Sequence, residues 1–168
     1  MNIRENIINE FLEEQDWTTE QIIFLAGDAS NRKYFRVKNN NGRAILMDAP
    51  PNKEDVRPFI FFTNYLLELG YSVPNIFSEN AKEGLLLLED FGDNTFTQVL
   101  LQGIKESEIY ECAIDLLIDL HKQPVIENRK DRIGSYGHQE LYREISLFVE
   151  WYMPLCFENK AVIGNTDE

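Results

Sequence analysis

The sequence predicts an α+β protein, with strands confined to the first half and helices alone in the second. Three observations carry this. Tyr34–Lys38 and Arg43–Asp48 flank a turn at Asn39–Gly42, where Asn41 and Gly42 tolerate the positive φ of a tight hairpin. Leu85–Leu88 is an unbroken apolar run, the pattern of a strand buried on both faces. Beyond Asn94 the β signals stop, and apolar residues recur at helical spacing. The 168 residues, 43% of them hydrophobic, suffice for one ordinary domain or two small lobes. Strands first and helices afterwards suggest a bilobal α+β arrangement.

In chain order, Ile3, Ile7, Ile8, Phe11 and Leu12 predict an amphipathic helix over Asn2–Gln15. Thr18 or Thr19 opens a short turn. The β-rich Gln21–Leu25 then leads into a small polar turn, Gly27–Arg32. After the hairpin, Pro50-Pro51 is a firm break. A helix follows, either capped by Asn52 and running over Lys53–Leu69, or starting near Arg57 with Pro58 in its first turn. Gly70 ends it, and Ser72–Phe77 is extended. Lys82-Glu83-Gly84 is a turn into Leu85–Leu88, and Glu89–Asn94 reads as a linker. Thr95–Gly103 and Ser107–Lys122 are helical. The second is apolar nearly all round (Ile109, Cys112, Ala113, Leu116, Leu117, Leu120), so it needs cover on more than one side. Arg129–Gly137 is loop, Gln139 to about Met153 is helix ending before Pro154, and Glu158–Glu168 is a polar tail.

A net charge of −13 argues against nucleic acid or an anionic membrane surface as partner, since both need clustered Lys and Arg. No stretch approaches the roughly 18 apolar residues needed to span a membrane. The charged, interrupted Met1–Glu14 is unlike a signal peptide. A soluble, cytoplasmic protein is expected. Cys112 and Cys156 have neither CxxC nor Cys/His spacing and read as reduced core thiols. Glu89 and Asp90 have no partner base, which leaves a glycosidase reading with little support.

The chemistry centres on Leu25–Pro51, because a strand, a small-residue turn and a hairpin can lay backbone N–H groups over a phosphate. Five blocks then occur in a telling order. They are Gly27–Val37 (GDASNRKYFRV), Leu46–Pro51 (LMDAPP), Lys53–Phe59 (KEDVRPF), Leu85–Asp93 (LLLLEDFGD), and Leu120-His121 with Glu150-Trp151-Tyr152. Together they span most of residues 22–157, and the sequence resembles the kinase-like phosphotransferases, the aminoglycoside phosphotransferase and choline kinase family. Within it the likeness is to bacterial kinases of the anomeric hydroxyl of N-acetylmuramic acid and N-acetylglucosamine. The resemblance implies a protein-kinase-like small lobe over 1–88, an inter-lobe linker over 89–94, and the start of a helical large lobe over 95–168. It implies ATP as cofactor, a small sugar as substrate, and Mg²⁺. Gly27, Ser30, Asn31 and Arg32 would cover the phosphates. Leu88 would back the adenine, and the Glu89 and Phe91 backbone would hydrogen-bond it.

Three departures from the family pattern bound that implication. Only Gly27 of the phosphate turn is glycine, so Ser30 and Arg32 would have to help. The third-strand lysine falls on Met47, which leaves Arg32, Lys33, Arg36 or Arg43 to supply the charge. The H-x-D-x-x-x-x-N loop and later Asp that orient the substrate hydroxyl and hold Mg²⁺ find no match: His121 precedes Lys122-Gln123, and His138 precedes Gln139-Glu140. The expectation is therefore a nucleotide-binding portion, truncated before the catalytic loop, with no catalytic residue and no metal ligand in this chain, inactive alone. The alternative is a non-catalytic split-gene or remnant module that docks on a separate chain or self-associates.

Asp90-Phe91-Gly92 spells the kinase metal-binding tripeptide, but it follows a strand directly and has no catalytic loop before it, so it reads as linker. Arg32 and Arg36 are either a solvated strand edge or phosphate contacts. His121 reads as a core or helix-end histidine rather than a base. Trp151 and Tyr152 either line a sugar pocket or pack in the core.

Overall fold

The computed structural model describes residues 3–17, 22–27, 30–40, 42–126 and 129–157. The expected turn at Thr18 or Thr19, the start of the first strand at Gln21, Asn41 and the polar tail lie outside them. Helix α1 (Ile3–Glu13) precedes β1 (Ile23–Gly27) and the hairpin β2 (Lys33–Asn39) and β3 (Gly42–Asp48). Helix α2 (Arg57–Glu68) leads to β4 (Ile76–Asn80) and β5 (Leu85–Glu89). Then come α3 (Phe96–Leu101), α4 (Glu106–Lys122), α5 (Lys130–Ile133) and α6 (His138–Leu147), the last running into a π-helical turn at Phe148–Tyr152. Met1–His121 and Lys122–Glu168 form two compact units.

The sheet order is β1-β2-β3-β5-β4, antiparallel throughout. An α+β fold, with strands first and helices afterwards, is therefore what forms. β5 lies between β3 and β4, and Leu85, Leu86, Leu87 and Leu88 are all buried, as an apolar run without alternation requires.

Alternation divides the two faces of the sheet. Val37, Ala44, Leu46, Leu85 and Leu87 pack with Ile8, Phe11 and Leu12 of α1. Met47, Leu86 and Leu88 pack with Val56 and, at their margin, Phe59 and Ile60 of α2. Arg4 of α1 reaches the end of β3, where its Nε and Nη2 donate to Asp48 Oδ1 at 2.8 and 2.6 Å. Asp48 is almost fully buried, so Arg4→Met leaves a carboxylate without its cation. Urea unfolding should show a loss of about 2 kcal/mol.

Helix α2 starts at Arg57, not at Lys53. Pro58 fits only the first turn, and Val56 precedes it without a side-chain cap. Residues 50–54 turn instead, with Lys53 and Glu54 N–H donating to the Pro50 carbonyl. The helix ends as expected at Gly70, whose φ of 86° lets Tyr71 N–H reach Leu66 O and Gly70 N–H reach Leu67 O.

Several expectations are corrected. Arg129–Gly137 is not all loop, since α5 gives it one helical turn. The helical path does not stop before Pro154 but continues over 153–157. The wider turn at Phe148–Tyr152 ends two residues before Pro154, which lacks the N–H a regular helix would use. Cys112 and Cys156 are free thiols, yet Cys112 is exposed and Cys156 half-buried, so neither is a core residue. Trp151 and Tyr152 are exposed, with Tyr152 stacked on Phe148 at 5.1 Å between ring centres. His121 is exposed, one residue from the end of α4. Only Ile109 of α4 is buried, while Ile114, Leu116, Leu117 and Ile118 stay about half exposed.

Candidate functional site

The first unit contains a cleft of about 700 Å³ on the α2 side of the sheet. Its floor comes from strand register. Arg36 faces Ile45, and Ile45 faces Leu88, so these three form one cross-strand row. Tyr34, two residues along β2, shares their face. Leu25 and Ala26 of β1 line one side, Phe59 of α2 another, and the segment after β5 closes a third. The walls are apolar and the rim is a short stretch of non-ladder backbone. That combination suits a flat heteroaromatic ring, which takes stacking from side chains and hydrogen bonds from peptide groups.

Leu88, Glu89 and Phe91 meet on this cleft. Glu89 N–H donates to the Asn75 carbonyl at 2.9 Å. Its side chain accepts from Asn75 Nδ2 at 2.6 Å and from Asn75 N–H at 3.2 Å. Among the described residues, the Phe91 backbone makes no hydrogen bond. Thr95 caps α3, accepting from Gln98 N–H at 3.3 Å, and that helix brings Gln98 and Gln102 to the rim.

The four turn residues do not line the cleft. Gly27 ends β1 opposite Lys33. Ser30 Oγ accepts from Arg32 N–H and Nε at 3.2 and 2.9 Å. Asn31 N–H donates to Glu54 Oε1 at 3.0 Å, and Arg32 lies with Glu54 and Asp55 on a neighbouring groove beside α2. Asp28 and Ala29, between Gly27 and Ser30, lie outside the described residues.

The cations expected to stand in for lysine separate by face. Met47 is fully buried on the α2 side. Lys33 faces the opposite side, registered with Asp48 and beside Arg4, Phe35 and Leu46. Arg36 is not a solvated strand edge. Its side chain is 12% exposed and wholly engaged by acids. Nε and Nη2 donate to the Asp90 carboxylate at 2.7 and 3.1 Å, while Nη2 and Nη1 donate to Asp93 at 2.8 and 3.3 Å. Arg43 Nε stands 3.6 Å from the same Asp90. Sequence reasoning missed this cluster. Its signal was an arginine on the cleft-side row of β2 with two acids just beyond β5.

Asp90 is the buried member, its side chain 3% exposed. Burial alone would raise its carboxyl. The Arg36 hydrogen bonds, the Gly92 N–H at 2.8 Å and the charges of Arg36 and Arg43 outweigh that and hold it below the usual carboxylate range. The same carboxylates, Asp90 first and then Asp93, raise the Arg36 guanidinium above its ordinary value. Both Asp90 oxygens are thus taken by donors. Among the described residues, no group of three His, Cys, Asp or Glu side chains is placed to hold a metal. The described residues do not fit a Mg²⁺ site. Nor, among them, is any helix long and apolar enough to cross a membrane.

The phosphotransferase enzyme family matches residues 21–158, and the chain belongs to it. Curated relatives include the N-acetylmuramate/N-acetylglucosamine kinases of Pseudomonas aeruginosa (37% identical over 79% of this chain), Pseudomonas putida (33% over 76%) and Neisseria meningitidis serogroup B (32% over 79%). The chain spans 38%, 36% and 39% of the lengths of those three relatives.

Proposed function

We propose that this chain is the nucleotide-binding portion of an ATP-dependent phosphotransferase acting on a hydroxyl of a small amino sugar, a cytoplasmic reaction. The observation that carries the reading is the apolar cleft bounded by Leu88 and the Glu89–Phe91 backbone. Adenine would lie between the Leu25, Ile45 and Leu88 side chains and Phe59, with its edge toward the Phe91 N–H. The triphosphate would run toward the Gly27–Arg32 turn. Arg32 is the cation best supported for a phosphate, since Lys33 faces the other side and Arg36 and Arg43 engage Asp90. The Asn31 N–H would first have to exchange its Glu54 carboxylate for a phosphate oxygen. ATP would supply the transferable phosphoryl group. The hydroxyl-activating Asp and the Mg²⁺ ligands have no counterpart here, so no step of transfer is assigned to these residues.

Two measurements test this. Calorimetry on the purified chain should show ATP binding that adenosine competes away, and no binding at millimolar ATP sinks the reading. A coupled ADP-release assay with N-acetylglucosamine and N-acetylmuramic acid should show no turnover by the chain alone; robust turnover refutes its incompleteness.

A second reading, a module that associates with a separate chain or with itself, is favoured by the exposed Ile114, Leu117 and Ile118 of α4. Light scattering after size exclusion should then show self-association. A well-behaved monomer that binds no apolar dye counts against it.

A further inference from the structure

We propose that Arg36 is a positioning residue for base recognition, fixing residues 90–94 against β2 so that the Phe91 backbone stands ready for a nucleobase. The inference rests on the nucleotide reading above and names the residue that sets base affinity within it.

The argument begins with where the sheet stops. β5 ends at Glu89, and α3 does not start until Phe96, so residues 90–94 have no strand ladder. Local turns shape this segment: Asp90 accepts from Gly92 N–H, and Thr95 N–H donates to the Asp93 carbonyl at 2.8 Å. Neither bond ties it to the sheet. Arg36 does, because one planar guanidinium has donors on two edges. The Nε/Nη2 edge takes Asp90 and the Nη1/Nη2 edge takes Asp93. Phe91 and Gly92 lie between the two anchored acids, and both line the cleft.

The electrostatics point the same way. Glu89, Asp90 and Asp93 put three carboxylates within five residues of chain, and Asp90 and Asp93 meet at a single cation. With Arg36 in place, that pair is drawn inward to β2. Without it, like charges separate and the segment swings off the cleft, with Arg43 as a more distant hold on Asp90 alone. A lysine at 36 keeps the charge but lacks the fork that reaches both acids. Because Arg36 acts on the base end of the cleft, its loss should weaken ligands that carry adenine and spare ligands that are phosphate alone.

The test is calorimetric titration of the whole chain and its Arg36→Gln and Arg36→Lys variants with adenosine, ATP and inorganic tripolyphosphate. Expected for Arg36→Gln is an affinity loss of about tenfold for adenosine and ATP, with tripolyphosphate unchanged and Arg36→Lys intermediate. If Arg36→Gln does not fold, Asp93→Ala decides, since it releases only the exposed anchor. About threefold weaker adenosine binding with unchanged tripolyphosphate binding then supports the proposal. Unchanged adenosine affinity in a folded variant overturns it while the nucleotide reading stands. Equal loss for all three ligands also overturns it, because that is the mark of general damage. A wild-type chain that binds none of them overturns both.

Discussion

Gly84→Ala should lower the stability of the chain by about 3–5 kcal/mol, a value at the severe end for one added methyl group. Gly84 turns the chain from β4 into β5 at φ of +66°, a conformation L side chains rarely adopt. A Cβ there would lie 1.9 Å from the Ala49 carbonyl oxygen and 3.0 Å from its carbon. Both are backbone atoms that no rotamer change removes. The two residues also hold each other, since Ala49 N–H donates to Gly84 O at 2.9 Å, so separating them breaks that bond. Gly70→Ala is the control. Its φ is +86°, but a Cβ would meet nothing within 4 Å, so it should cost only about 1 kcal/mol. Urea unfolding of both variants, with slopes unchanged, measures the difference. Equal losses would show that the Ala49 carbonyl yields, and would refute the steric account.

Asp90→Ala should destabilise by about 3 kcal/mol at neutral pH, because it strips Arg36 of its nearest and most buried partner. A pH profile separates this charge from simple packing. The Asp90 carboxyl is held below its ordinary value in the folded chain, so the folded state binds fewer protons than the unfolded one. Its contribution is therefore present above the unfolded value of about 4 and lost as pH falls through the lower folded value. Wild-type stability should fall across that acid window. Asp90→Asn should start lower at pH 7 and lose less there. Parallel profiles for the two proteins would rule out Asp90 as the titrating group.

How much of this was legible in the sequence depended on the range of each interaction. Leu85–Leu88 could be read as an interior strand because burial on both faces removes alternation, a purely local signature. Pro58 likewise restricted the start of α2 to two places, and its missing N–H decided between them. The roles expected of Leu88, Glu89 and Phe91 came instead from the family resemblance, and the structure shows that all three line one cleft. Arg36 did not. Its partners are 54 and 57 residues away, and their approach depends on a β2–β3–β5 register that no local spacing encodes. Alone on a strand, an arginine looks like a solvated edge. The four-residue α5 was missed because its one turn, Lys-Asp-Arg-Ile, carries a single apolar side chain and so has no periodicity. The apolar content of α4 was correctly seen, but cover for it was inferred from composition, and composition does not say where cover comes from.

Register in β3 has a further consequence for engineering. Positions 44, 46 and 48 serve the α1 face, and 45 and 47 serve the α2 face, with Ile45 on the cleft floor. Parity alone decides which face of the sheet a β3 side chain meets. Side chains at 45 can thus be varied to reshape the cleft floor while the α1 core is left intact, as if the strand carried two interleaved messages. Deleting one residue from the hairpin turn would merge them: Ala44 and Leu46 would face the cleft, and Ile45 and Met47 would be driven into α1. Position 45 should tolerate more substitution than 44, 46 or the fully buried 47, and the strand no change of length.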